Sequence, residues 1–252
     1  MRAVPPLPAG APDYAGWYVP DSPRVELTRF LERLAGVALV RVEDGHLSLD
    51  RLGEWNETYV PVVGLQFRHV PKKKDEAPDP VATFELLAPN GEGWFIQAGF
   101  GTVMKRIPAW RALMQIVATV FVLLSMVATL IYAPFWVLGG LSKRRRRPVE
   151  RGMRLWPLAA ILSLIAFVGI IVVSSDDLID RMGNLTGWSA AVFAATVSFG
   201  IGSLASAISW WRAPAQAVRP GVRRFSLIVA LALLIAGAYL ARWGIIGLRT
   251  WV

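Results

Sequence analysis

Ala112 to Leu138 reads ALMQIVATVFVLLSMVATLIYAPFWVL, twenty-seven residues without a charged side chain. A soluble amphipathic helix of that length would carry a polar stripe at helical period. This stretch has none, and about 20 mostly apolar residues suffice to cross a bilayer. Three further segments have the same character: Leu155–Val173, Gly187 to about Trp210, and Phe225 to about Ala241. Residues 112–252 therefore read as a transmembrane domain with helices at about 112–138, 155–173, 187–210 and 225–241. Pro134 falls in the last turns of the first helix and is expected to kink or end it.

Charge divides the chain at the same place. Residues 1–111 carry 13 basic and 14 acidic side chains, and residues 112–252 carry 14 basic and 4 acidic ones. The basic residues cluster in two loops. Lys143, Arg144–Arg147, Arg151 and Arg154 lie in the first; Arg212, Arg219, Arg223 and Arg224 lie in the second. The intervening loop holds Asp176, Asp177 and Asp180 against Arg181. Loops 142–154 and 212–224 must share one side, and the positive-inside rule makes it cytoplasmic. The N-terminal domain and the C-terminus are then extracytoplasmic. Trp110, Trp136, Trp156, Trp188, Trp210, Trp211 and Trp243 fall at expected helix ends, the depth that amphipathic rings prefer.

The third apolar segment is rich in small residues. Ala190, Ala194, Ser198, Gly202 and Ser206 recur every four positions and lie along one helix face, which reads as a packing seam within the bundle. The arginine run reads as a topology signal in contact with lipid headgroups rather than as a nucleic-acid site. The three aspartates read as a solvated outer loop rather than a cation site. With no charge inside a helix, nothing marks an ion path.

The first half reads as a small, antiparallel, β-rich domain. Residues 1–13 are rich in Pro and Ala and are expected to be linker. Asp21-Ser22-Pro23 opens a short capped helix ending near Gly36, with Val25, Leu27, Phe30, Leu31 and Leu34 on its apolar side. Val37–Val42, a turn at Asp44-Gly45 and His46–Asp50 form a hairpin. Thr58–Val70 is an extended segment broken at Pro61. Residues 71–80 form a polar loop, and Val81–Ala88, a turn at Asn90-Gly91 and Trp94–Ala98 make a second hairpin. Gly101–Ile107 leads to Trp110. About six strands result, arranged as a meander or partial barrel with one short helix. The fold class is thus α+β: this domain, residues 14–111, followed by a four-helix transmembrane bundle.

Chemistry-bearing motifs are scarce. His46 and His69 are the only histidines, and Cys is absent, so no metal-ligand spacing exists. There is no GxSxG elbow, P-loop or HExxH. Asn56-Glu57-Thr58 and Asn184-Leu185-Thr186 match the short glycosylation pattern and carry little weight. No catalytic, cofactor-binding or metal-binding residue is assigned, and no cofactor.

One run of residues has a family likeness. Tyr14-Ala15-Gly16-Trp17-Tyr18, Ser22-Pro23-Arg24, VEDGHLSL (Val42–Leu49), YVPV (Tyr59–Val62), Phe67-Arg68, ATFELL (Ala82–Leu87) and IQAGFGTVMKRIPAW (Ile96–Trp110) follow one another into the apolar helices. The pattern, over 14–252, resembles the C-terminal region of membrane-anchored serine hydrolases related to class C beta-lactamases, the CubicO-like group. The resemblance implies a β module and membrane helices downstream of a catalytic domain. That chemistry needs a nucleophilic Ser with Lys one helical turn later. No Ser here has Lys three positions on, Ser142 being followed by Lys at the next position only; no Tyr opens a Y-x-N, and there is no KTG or H-x-G. No catalytic residue carries over.

The expected function is that of a non-catalytic membrane anchor and accessory region for such a hydrolase, encoded upstream. The alternative is a free-standing multi-pass protein whose outer domain binds a lipid, peptide or envelope partner. An enzyme with an unrecognised site would need His46 or His69 beside a carboxylate in a cleft. Residues 1–30 lack a charged head and apolar core of a signal peptide, which suggests the downstream piece of a longer exported protein. The expected partners are the bilayer and that hydrolase, not nucleic acid. The Arg- and Ala-rich, Cys-free composition fits a bacterial inner-membrane protein.

Overall fold

A computed structural model describes residues 5–22, 28–43, 45–51, 56–72, 79–99, 101–140, 148–174 and 177–251. The chain divides into two compact units, 1–117 and 118–252.

The first unit is built on a closed barrel of eight antiparallel strands in sequence order. The strands are β1 (Gly16–Pro20), β2 (Ala38–Glu43), β3 (His46–Arg51), β4 (Glu57–Val63), β5 (Gln66–Val70), β6 (Phe84–Asn90), β7 (Gly93–Ala98) and β8 (Thr102–Ile107). Pairing of β1 with β8 closes it. Period-2 alternation sets the register, because a slip of one residue would turn every apolar side chain outward. Thus Val40 faces Leu49, Leu47 faces Tyr59, Phe67 faces Phe84, and Ile96 faces both Leu86 and Met104. These residues, with Tyr18, Ala38 and Ala98, are buried and form one core. An eight-stranded barrel has a lumen just wide enough for its own side chains.

The expected count of about six strands misses two. Thr58–Val70 is two strands: the chain reverses after Val63, with Gly64 in the left-handed region at φ +55°. Pro61, expected to break the segment, sits inside β4 at a register irregularity, where the ladder tolerates a missing N–H. Gly16–Pro20 is the other missed strand, and its partner is the distant β8. The meander or partial barrel is therefore a closed one. The second hairpin turns as expected, with the Asn90 side chain accepting from the Glu92 N–H at 2.9 Å.

The expected linker contributes to the core. Ala11–Tyr14 form a 3-10 turn whose Ala11 and Tyr14 are buried with the barrel residues. The Tyr14 hydroxyl donates to the Leu87 carbonyl at 2.7 Å, and the Tyr18 hydroxyl donates to the Tyr14 carbonyl at 2.8 Å. The turn stops one end of the barrel. The short helix α1 is Arg29–Ala35, with Phe30 buried and Leu31 partly exposed; Val25 and Leu27 lie outside the described residues.

Only Pro108 separates β8 from α2 (Ala109–Gly140). The first turns of α2 belong to the barrel's unit: Ala112 packs with Val19 and Val37, and Gln115 Nε2 donates to the Arg33 carbonyl at 2.7 Å.

The second unit holds the rest of α2, then α3 (Pro148–Val173), a short α4 (Leu178–Met182), α5 (Gly187–Arg212) and α6 (Pro220–Arg242). α2, α3, α5 and α6 are long and apolar enough to cross a membrane. They exceed the expected spans at their basic ends. Arg151 and Arg154 lie in the first turns of α3, and Arg223 and Arg224 in α6, rather than in loops 142–154 and 212–224. Arg144–Arg147 lie outside the described residues. α2 continues past Pro134 to Gly140.

The bundle is a close pack of α3, α5 and α6, with α2 set farther off, rather than four equivalent helices. Residue size explains this. α5 approaches α3 through Gly202, whose Cα lies so near Ala160 that an added Cβ would fall 2.9 Å from the Ala160 Cβ. α2 meets the others through larger groups, including Tyr132 edge-on to Phe225 at 5.5 Å.

Only two of the five residues of the expected seam on α5 belong to its packed face. Gly202 and Ser206 are buried, but Ala190, Ala194 and Ser198 are exposed. The buried face instead runs Ser189, Val192, Thr196, Phe199, Ser203, Ser206, alternating steps of three and four. A four-residue stripe drifts around the helix, whereas a partner helix follows a repeat near 3.5.

Candidate functional site

Three buried hydroxyls in the helices bond to their own helix. Ser203 and Ser206 donate to the carbonyls of Phe199 and Gly202 on their own helix, at 2.8 and 2.6 Å, and Thr129 donates to the Ser125 carbonyl at 2.8 Å. Each is satisfied locally.

One ionic cluster is buried in the second unit. Glu150, in the first turn of α3, is 3% exposed. Its Oε2 accepts from Arg154 Nη2 at 3.1 Å, and its Oε1 accepts from the Arg219 backbone N–H at 3.1 Å and from Nε at 3.3 Å. The Arg154 guanidinium also lies 5.6 Å from the Tyr132 ring centre and 5.9 Å from that of Trp136. Arg223 Nη1 donates to the Ala213 carbonyl at 2.5 Å, and Trp210 Nε1 to the Arg223 carbonyl at 3.1 Å. The gap beside Arg154 holds about 10 Å³, room for one water. This cluster clasps α3 to the turn before α6.

Among the described residues no group of His, Asp and Glu is arranged to hold a metal ion. Asp177 pairs with Arg181 at 3.1 Å, Asp180 is exposed, and Asp176 lies outside the described residues. Thr186, the last residue of one glycosylation match, caps α5 in a reciprocal pair with Ser189; Thr58, of the other, is in β4.

His69 does lie near a carboxylate. Its Nδ1 is 3.7 Å from Asp79 Oδ2, and the Asp79 N–H donates to the His69 carbonyl at 3.1 Å. Both side chains are about a third or more exposed, and no hydroxyl is bonded to His69 among the described residues. The pair joins the end of β5 to Asp79. His46 is half-buried at the start of β3.

Two concavities lie among the described residues of the first unit: a small one lined by Gln66, Thr83, Glu85 and Gln97, and a wider one beside the Ala11–Tyr14 turn. The wider one is an open groove of about 410 Å³ lined by Gly16, Trp17, Gly93, Trp94, Arg106, Ile107, Pro108 and Ala109. β-Alternation supplies its residues. Arg106 follows inward-facing Met104 by two and lies opposite Tyr18. Trp94 precedes inward-facing Ile96 by two and meets Tyr14 edge-on at 4.7 Å. Both therefore reach the rim where the lumen ends. Arg106 Nη1 donates to the Asp13 carbonyl at 3.0 Å, and its guanidinium lies flat over Gly16, where a Cβ would come within 2.8 Å of Nε. Burial holds the Tyr18 phenol up to about 12, against a smaller lowering by Arg106. The alternation that places Arg106 at the rim is legible in the sequence once Met104 is assigned inward; the 3-10 turn beneath it is not.

No protein family, curated protein or solved structure matches the chain in sequence or in fold.

Proposed function

We propose that this chain is a non-catalytic membrane-anchoring and accessory module, the tethered tail of a beta-lactamase-related serine hydrolase. In this reading the four apolar helices cross the bacterial inner membrane, the barrel lies on the extracytoplasmic side, and the basic helix ends face the cytoplasm. Confinement at the surface raises the effective concentration of a partner catalytic domain without new chemistry in the tether. The observation that carries the reading is the barrel itself: its lumen is filled by its own side chains, and it passes through a single residue, Pro108, into an apolar helix. Such a barrel supports and positions; it does not enclose a substrate.

The test is direct. The reading frame upstream should contain S-x-x-K and Y-x-N, and a fluorophosphonate probe should label that partner and leave this chain unlabelled. Unrelated upstream sequence, or labelling of one Ser in this chain, would refute the reading. A reporter after Val252 should score extracytoplasmic and one near Arg147 cytoplasmic. A second reading, a free-standing membrane protein whose outer domain binds a lipid or envelope partner, is favoured by the groove at the barrel rim.

A further inference from the structure

We infer that the groove at the barrel rim is a binding site for an anionic phospholipid headgroup, whose phosphate is held by Arg106 between Trp17 and Trp94. The inference rests on the reading that α2 crosses a bilayer. Three observations converge on it.

The first is charge. Among the described residues, Arg106 is the only charged side chain lining the groove. It is exposed, and its only bond is to a backbone carbonyl, that of Asp13; no carboxylate neutralises it among the described residues. Its neighbour Lys105, by contrast, is paired with Glu92 at 3.6 Å. A guanidinium with most of its five donors unused suits a phosphate, which accepts two parallel bonds.

The second is depth. Pro108 and Ala109 line the groove, and the uncharged run of α2 begins at Ala112. At about 1.5 Å per residue, the groove lies roughly 5 Å along the helix axis from the apolar run. That is headgroup distance. Trp110 is 58% exposed with the Arg111 guanidinium 5.3 Å from its ring centre, an interfacial pair on the same turn.

The third is shape. Gly93 adds no side chain to the lining, Gly16 lies under the Arg106 guanidinium, and the half-buried indoles of Trp17 and Trp94 contribute their rings. Flat rings with apolar faces and an N–H suit the glycerol and ester region beside a phosphate. A second cation on the ligand, as in phosphatidylcholine, would be repelled by Arg106.

The test uses the full chain in nanodiscs of equal phosphatidylglycerol and phosphatidylcholine, released into detergent for native mass spectrometry. Wild type should retain phosphatidylglycerol over phosphatidylcholine. R106Q should lose that retention by about tenfold, the factor expected when a charged hydrogen bond to phosphate is removed. R106K should fall between the two, since it keeps the charge but not the two parallel bonds. Should R106Q fail to fold, wild-type retention should fall from low to high salt. Equal retention by wild type and R106Q, indifference to salt, or equal retention of both lipids would overturn the inference. Displacement of lipid by inorganic phosphate would show a free-anion site and overturn it too. Failure of the chain to stay with membranes after carbonate washing would refute the tether instead, so the two failures are distinguishable.

Discussion

Replacing Gly202 with Ala tests how α3 and α5 are held together. The added methyl would lie 2.9 Å from the Ala160 Cβ and 3.2 Å from the Ala160 Cα and N. Carbon atoms rest at about 3.5–4.0 Å, so the overlap is about 0.6 Å or more. Two of the atoms met are backbone, so no rotamer relieves it and a helix must shift. Overpacking of this kind costs about 1–3 kcal/mol. The Gly-to-Ala change itself favours helix by about 1 kcal/mol. Gly237→Ala is the control: its new methyl would meet nothing closer than the Ser203 Cβ at 3.9 Å, an ordinary contact. Thermal unfolding of the full chain in nanodiscs should therefore show Gly237→Ala unchanged or slightly stabilised, and Gly202→Ala less stable than it by about 2 kcal/mol. Adding Ala160→Gly, which moves the methyl from one helix to the other, should recover about 1–2 kcal/mol of the loss as coupling between the two sites. Equal stability of Gly202→Ala and Gly237→Ala, or no coupling, would show that the two helices do not meet at this point.

Three other outcomes follow from the cores of the two units. Phe67→Ala, at a fully buried lumen position, should cost the barrel about 3–5 kcal/mol, read by near-ultraviolet circular dichroism on heating. Glu150→Ala should cost about 3 kcal/mol in nanodiscs by stranding the Arg154 guanidinium, 14% exposed, without its carboxylate; stability equal to wild type would refute the clasp. The Tyr18 phenol is raised from 10.0 to about 12, chiefly by burial. A raised acid contributes stability that is complete below its unfolded pKa and is lost as pH rises through the folded one. The barrel should therefore hold its stability up to about pH 10 and lose it between pH 10 and 12, with phenolate absorbance at 295 nm rising together with unfolding; Tyr18→Phe should reduce that dependence.

The helices were the most legible part of the chain, because a run such as Ala112–Leu138 has one physical interpretation whatever surrounds it. Their boundaries are less so: Arg151, Arg154, Arg223 and Arg224 read as loop where charge ends an apolar run, yet a helix continues into polar surroundings while its backbone bonds are satisfied. The two hairpins are legible as segments, and the structure adds which of their residues face inward: Leu47 and Leu49, and Ile96 and Ala98. Closure is not legible, since it depends on β1 meeting β8 across about ninety residues, and nothing local specifies that pairing. The 3-10 turn was hidden for a related reason. Pro and Ala in residues 1–13 have the composition of a linker, and only the stopped lumen gives Ala11 and Tyr14 a place to be buried. The candidate groove inherits both omissions: Arg106 and Trp94 are readable as rim residues only after the barrel is closed. The Glu150 clasp was missed because its partner Arg219 is 69 residues away.

Carbonate extraction of membranes from cells producing the full chain tests the tether most directly, because no contact with another protein can mimic passage through a bilayer. The chain should remain in the pellet at alkaline pH and be released only by detergent. Recovery of folded, monodisperse chain in the carbonate supernatant would mean that α2, α3, α5 and α6 do not cross a membrane.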